Sequence, residues 1–368
     1  MKVILFHEAI CPAGTTWAQR MKEVVDEAVH AEACGFDGYA MSEQHFASGE
    51  AITSAPEIVL PYVAARTTKM RLRIASVNLL PYNHPIRIVE QMATLDLLSG
   101  GRAELGGARS NNPYTLDAFG VDAKLTREYR DEFLAIIGKG FTQEKLEHQS
   151  PYYNIPPRRM SPWPVGRRPV PVHLSATSLE SHEEAGRMGV GAMSGLSILG
   201  WEYAQACIDA YRKGAENAQC VAGSITKRQA LFSVGVNCHA DRATALRQTE
   251  ENTLRFVEVI MDWMTKLAKR SEGYEYFAQI ERIRANMDNL QYLIDNAPYI
   301  MAGTPDDLIE RCRRLHEMGI DDLIWRIDGM GHETNKKALE LIGKEVLPVV
   351  QSWPEHAYST PSSTWNQS

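Results

Sequence analysis

The sequence is poor in the features that most quickly mark a function. Its six cysteines, Cys11, Cys34, Cys207, Cys220, Cys238 and Cys312, form no CxxC pair. That removes the usual zinc and thioredoxin-like spacings and gives no disulfide framework, and scattered thiols fit a reducing cytoplasm. HxH and HExxH are absent and no acids cluster at the ends of apolar runs, so no metal is expected. There is no GxSxG nucleophile elbow. No glycine-rich dinucleotide fingerprint follows the first apolar run, and Gly106-Gly107 alone is weak support for one. Positive charge is also short: 39 Lys and Arg against 46 Asp and Glu give a net charge of −7, which argues against nucleic-acid binding. No run approaches the roughly 18 apolar residues of a membrane span. The N-terminal MKVILFHEAI is too short, and lacks the cleavage site, for a signal peptide. The expectation is a cytoplasmic protein that binds neither nucleic acid nor membrane.

What is present is a regular alternation. Apolar runs occur at Val3–His7, Asp37–Ser42, Leu72–Val77, Ala103–Gly107, Val170–Ser175, Gly191–Ser194, Ala230–Cys238 and Asp321–Ile327. Short runs of this kind are what strands buried on both faces look like. The segments between them carry helix signals. Thr16 can cap a helix with Met21, Val24, Ala28 and Ala31 on one face, ending at Cys34-Gly35. Pro85 opens one with Ile88, Met92, Leu95 and Leu98 spaced for burial, stopped by Gly100-Gly101. Thr304-Pro305-Asp306-Asp307 caps a third, with Leu308, Cys312 and Leu315 on its inner face. Eight strands alternating with helices in 368 residues point to an α/β fold, a (β/α)8 TIM barrel, over a doubly wound sheet. One barrel domain over 1–353 is expected. Insertions lie at about 140–169 after strand 4, reading as a surface loop, and 270–298 after strand 7, reading as helical. The tail at 354–368 reads as disordered.

A barrel keeps its active site at the C-terminal ends of its strands. That rule selects Ser42–His45, Ser76–Asn78, Gly106–Arg109, Ser175–Ser178, Ser194–Ser197, His239 and Arg326–Asp328. After the fifth strand, Ser178 can cap a helix whose free N–H groups, with the hydroxyls of Thr177, Ser178 and Ser181, suit an anion. Arg109 would add charge-assisted bonds. A plain cap and a surface arginine fit the same residues. His45 reads equally as a proton-transfer group and as a structural partner of Glu43.

Taken together, ACGFDGYAMSEQHF (33–46), LLPYNHPIRIVEQMATLDLLSGGRAELGGARS (79–110), FGVDAKLTREYRDEF (119–133), SATSLESHEEAGRMG (175–189) and AGTPDDLIERCRRLHEMGIDDL (302–323) resemble the bacterial luciferase-like flavin-dependent monooxygenases. The resemblance implies a barrel that binds FMN, acts on a small organic substrate with O2 through a C4a-peroxyflavin, forms a homodimer and receives FMNH2 from a separate flavin reductase. It makes Arg109 the phosphate-binding arginine and Arg127 a second basic position. Ala176, Thr177, Ser178 and Ser181 match the phosphate loop, and Ser76-Val77 the place where the family often has a non-proline cis peptide under the flavin ring. Catalysis is expected at His45 and Gln44. Two departures stand out. Gln44 occupies the position of the family's reactive histidine and is no base near neutral pH, and Ala108 replaces a reactive cysteine of some luciferases, which weakens a bioluminescent role. The segment Tyr274–Tyr299 is a candidate lid, though a stripe of Phe277, Ile280 and Ile283 fits core packing as well. F420-dependent hydride transfer in the same fold, and flavin binding without catalysis, remain alternatives.

Overall fold

In a computed structural model of the protein, the described residues are 1–47, 51–195, 199–270, 286 and 288–360. The chain runs β1 (Lys2–His7), α1 (Trp17–Ala33), β2 (Gly38–Met41), α2 (Pro56–Ala64), β3 (Arg71–Asn78), α3 (Pro85–Ser99), β4 (Ala103–Ala108), α4 (Pro113–Ala118) and α5 (Thr126–Thr142). It continues through β5 (Lys145–Gln149), β6 (Asn154–Arg159), β7 (Val172–Ala176), α6 (Leu179–Met188), β8 (Gly191–Ser194), α7 (Trp201–Ala215), β9 (Gln229–Cys238) and α8 (Arg242–Ala268). The last elements are α9 (Leu290–Asn296), β10 (Ile300–Gly303), α10 (Pro305–Met318), β11 (Asp322–Arg326), α11 (His332–Leu341) and α12 (Leu347–Val350). Strands β1, β2, β3, β4, β7, β8, β9 and β11 pair in parallel in that order, and β11 returns to β1 with Lys2 opposite Asp322. This is a closed (β/α)8 barrel, and its strands are the eight apolar runs.

The helix signals act locally as expected. Thr16 accepts from the Gln19 N–H, Gly100 ends α3 at φ 69°, and Thr304 with Asp307 forms a capping box. Leu98 differs, being 67% exposed. The buried stripe of α3 runs through Ile88, Met92, Leu95 and Ser99, a 4-3-4 spacing that leaves position 98 off the face.

Two other segments depart from the sequence reading. The stretch 140–169 is not one loop: β5 and β6 pair in antiparallel as a surface hairpin, and α5 extends to Thr142. In the second insertion, residues 286 and 288 onward are described and include the helix α9, whereas Phe277, Ile280, Ile283 and the rest of 271–285, with 287, lie outside the described residues. In the tail, residues 354–360 are described and pack against the barrel. His356 Nδ1 and Ser359 Oγ both contact Asp321 Oδ1, at 2.9 and 2.7 Å, and Thr360 N–H donates to Lys227 O.

Long β9 holds an added strand. Its first half pairs with β8 and β11, and from Val234 through Gly235 (φ 57°) to Cys238 its second half pairs with β10. A Cβ on Gly235 would run into Thr253 of α8. Inside, the barrel is layered. At the N-terminal end of the strands, Arg73 Nε lies 2.6 Å from Glu104, Arg71 Nε 2.8 Å from Glu104, and Arg228 Nε 3.1 Å from Asp322. Burial pushes the Glu104 carboxyl up, but Arg73 and Arg71 outweigh it and hold the group well below the usual range. Above this ionic floor lie Ile4, Phe6, Ala40, Met193, Ala230 and Ile324, a dry apolar layer.

Candidate functional site

A cavity of about 1260 Å³, counting its open mouth, sits on that apolar layer at the C-terminal ends of the strands. One wall is polar. Arg109 and Ser110 follow β4, Thr177 follows β7, and the Ser76 and Ser175 hydroxyls meet at 2.6 Å. The opposite wall is apolar, formed by Phe232, Phe256, Ile260, Met261 and Met264, with Tyr299 beside them. A pocket of mostly apolar lining with a few converging polar groups is the usual form of a small-molecule site.

The anion end takes its shape from α6. Ser178 caps the helix, accepting from Ser181 N–H, while Ser181 Oγ accepts from the N–H groups of Thr177 and Ser178. Ser178 and Ser181 therefore build the turn, whereas Thr177 reaches the cavity wall. Behind the turn lies His182, which the sequence reading passed over. Burial pulls its pKa down to about 4, so the ring is neutral. Its Nδ1–H donates to Ser178 O (2.8 Å), leaving Nε2 to accept from Ser194 Oγ (2.7 Å).

Arg109 reaches the cavity, with Nη1 3.5 Å from Thr126 Oγ1. Arg127 stands further out and pairs with Glu180 of α6 at 2.6 Å, and Arg130 pairs with Glu184 at 3.0 Å. The Arg127 hydrogen bond holds Glu180 below the usual carboxylate range, with help from the Arg109 and Arg130 charges. Val77 and Ala176 are buried strand residues away from the cavity wall. The cis peptide is Ala75–Ser76, one bond earlier than Ser76-Val77, and both of its residues line the cavity.

Gln44 and His45 are adjacent in sequence and face different surroundings. Gln44 lines the cavity. His45 lies in an aromatic group with Tyr82 and Phe119, and its Nε2 is 2.8 Å from Glu43 Oε1. Glu43 does line the cavity, with its carboxylate fixed by Asn78 N–H (2.8 Å) and the Asn83 amide (2.9 Å). Ser42 Oγ, also at the wall, is buried with no hydrogen-bond partner among the described residues. Of the other strand-end candidates, His239 Nδ1 accepts from Asp241 N–H at the start of α8, and Ser197 lies outside the described residues.

Glu8 is a cavity residue missed from the sequence. It immediately follows β1, which was its available signal. Asp328 receives its N–H at 3.0 Å, and Arg20 holds Asp328 at 3.0 Å. Glu8 Oε2 is 3.1 Å from Nε of Arg326, a fully buried side chain whose guanidinium lies 4.0 Å from the Phe256 ring centroid. Glu23, Glu27 and His332 bring three potential metal-ligand atoms together, but Arg20 already contacts Glu23 at 3.3 Å and Glu27 at 2.7 Å.

Comparisons with known proteins agree with this geometry. The flavin-dependent trigonelline monooxygenase, oxygenase component, of Acinetobacter baylyi is 23% identical, covering 94% of this chain and 96% of that one. The F420-dependent glucose-6-phosphate dehydrogenase of Amycolatopsis mediterranei is 24% identical over 90% and 95%. The chain spans about half the length of three further curated relatives, which are 27–32% identical to it. Among solved structures, the oxygenating constituent of 3,6-diketocamphane monooxygenase from Pseudomonas putida, in complex with FMN, superposes with a TM-score of 0.76 at 22% identity, covering 97% and 100%. The family described as luciferase-like monooxygenase matches residues 1–322, and this chain belongs to it.

Proposed function

We propose that the protein is an FMNH2-dependent monooxygenase that oxidises a small, mainly apolar organic substrate with O2. The observation that carries this reading is the two-sided cavity: anion-holding donors at Arg109 and Thr177, and an apolar wall facing them. The donor set fits FMN. Arg109 and Thr177 suit its phosphate, while Gln44, Asn78 and the Ser42 hydroxyl, which has no partner among the described residues, suit the polar edge of a ring lying over Ala75 and Ser76. When bound in reduced form, FMN would supply the electrons that let one atom of O2 enter the substrate while the other leaves as water.

The protein's own residues then bind, orient and exclude water. Phe232, Phe256, Met261 and Met264 keep the reacting region dry, which strengthens every polar contact within it. Gln44 can donate and accept hydrogen bonds at the cavity wall without taking a proton. His45 acts through Glu43, whose orientation it fixes; its role is to position that carboxylate. A separate flavin reductase is the proposed partner, in keeping with the relative named as an oxygenase component. A homodimer is proposed too, since Ile58 and Tyr62 on α2 and Leu98 on α3 are all at least 60% exposed.

FMN titration, followed by O2 uptake with chemically reduced FMN, tests the reading. Absence of binding in both redox states would sink it. The F420-dependent relative supports a second reading, hydride transfer with F420. Oxidation of reduced F420 without O2 uptake would favour that alternative.

A further inference from the structure

The cavity has a second polar end, which the flavin reading leaves without a role. In the circular strand order, β1 stands four strands from β7, and β11 four strands from β4. Glu8, just past β1, and Arg326, at the end of β11, therefore lie across the barrel mouth from Arg109 and Thr177. Arg326 is the less usual of the pair. It is fully buried behind Glu8 and Phe256, and its Nε, Nη1 and Nη2 have no hydrogen-bonded partner among the described residues. Its 3.1 Å approach to Glu8 is an ion pair, and the Phe256 ring takes the rest of its face.

Such a pair sets the chemistry of this end of the cavity. Glu8 presents a carboxylate to the cavity, and Arg326 behind it cancels most of the charge. A cationic ligand gains little from a neutralised pair, and an anionic one meets the Glu8 oxygens first. An uncharged donor group gains the most, because a carboxylate is a strong acceptor and a neutral hydroxyl or N–H costs far less to desolvate than an ion. On the β9 and α8 side the wall between the two ends is apolar or aromatic, with Phe6, Phe232, Phe256, Ile260, Met261 and Met264, while Ser42, Glu43 and Gln44 stand on the β2 side.

We propose that Glu8, neutralised and held by Arg326, is the head-group site for the substrate. The substrate class is an uncharged compound with an aromatic or aliphatic body and one hydrogen-bond donor, a hydroxyl or N–H, directed at Glu8. Glu8 thereby fixes which part of the body faces the flavin. The inference rests on the flavin reading of the same cavity.

The test uses the FMN-loaded protein and three probes of one shape: 2-naphthol, 2-methoxynaphthalene and 2-naphthoate, with binding measured by calorimetry. The expected result is 2-naphthol binding about ten-fold or more tighter than either of the others, the ratio for one hydrogen bond to a charged acceptor. Glu8→Gln should level naphthol and its methyl ether to within about three-fold while FMN affinity stays unchanged. Because that variant leaves Arg326 uncompensated, Glu8→Gln with Arg326→Gln provides a neutral background in which the same levelling is expected. Equal binding of naphthol and its ether by the wild type, no binding of either, or tightest binding of naphthoate overturns the proposal. Failure of the wild type to take up FMN would sink the flavin reading, and this proposal with it.

Discussion

Replacing Arg109 by alanine tests the cofactor end of the cavity most directly. Its guanidinium lines the cavity beside Thr177, with Nη1 3.5 Å from Thr126 Oγ1. A phosphate placed there would take at least one charge-assisted hydrogen bond from it. Such bonds are worth roughly 1.5–3 kcal/mol, so Arg109→Ala should raise the Kd for FMN about 10- to 150-fold. Arg109→Lys keeps the charge and loses the planar fork, and should fall between the two. Arg127→Ala serves as an internal comparison: Arg127 is committed to Glu180 and Glu184, so its loss should cost well under 1 kcal/mol. The assay is flavin fluorescence quenching at fixed salt, run in parallel with FMN and with riboflavin, which lacks the phosphate. Riboflavin affinity should be the same in wild type and Arg109→Ala. An unchanged FMN affinity, or an equal loss for both flavins, would refute the assignment of Arg109 to the phosphate.

Other consequences follow from buried groups. Burial depresses His182 to about 4 and His173 to about 3. The unfolded chain, with histidines near 6.5, therefore takes up protons before the folded one. That stabilisation is complete above about pH 6.5 and is lost as pH falls toward 4, at about 1.4 kcal/mol per pH unit for each histidine. Urea unfolding at pH 7 and pH 5 should differ by about 3–4 kcal/mol, and a flat profile would contradict the buried neutral rings. Glu104→Gln leaves Arg71 and Arg73 undercompensated in the barrel floor and should cost about 3–5 kcal/mol in the same assay. Truncation after Trp353 removes the two donors that hold Asp321 Oδ1 and should cost about 2–6 kcal/mol; unchanged stability would mean that 354–360 adds nothing to the fold.

The barrel was legible because its strands are buried on both faces and so read as apolar runs between capped helices. What the runs concealed was direction. In Arg71–Asn78 and Asp322–Arg326 every second residue points inward, and the inward set includes Arg73, Asp322 and Arg326, charges whose partners lie on other strands far away in sequence. The β5–β6 hairpin was hidden by Pro156 and Pro157, which count against a strand in a wide sheet but are tolerated at the edge of a two-stranded one. In the site, strand-end position brought Arg109, Thr177, Ser76 and Gln44 to the cavity wall. The same rule could not tell Gln44 from His45, because adjacent loop residues take their directions from partners distant in sequence, here Tyr82 and Phe119. It also missed His182, whose significance lies in the turn it locks from behind.

The strand added beyond Gly235 divides the site along the chain. The anion end is encoded around β4, β7 and the start of α6, whereas most of the apolar wall comes from α8 and from Tyr299, which leads into β10. Substitutions in the later segment can therefore reshape what the cavity admits while the residues at the anion end stay as they are.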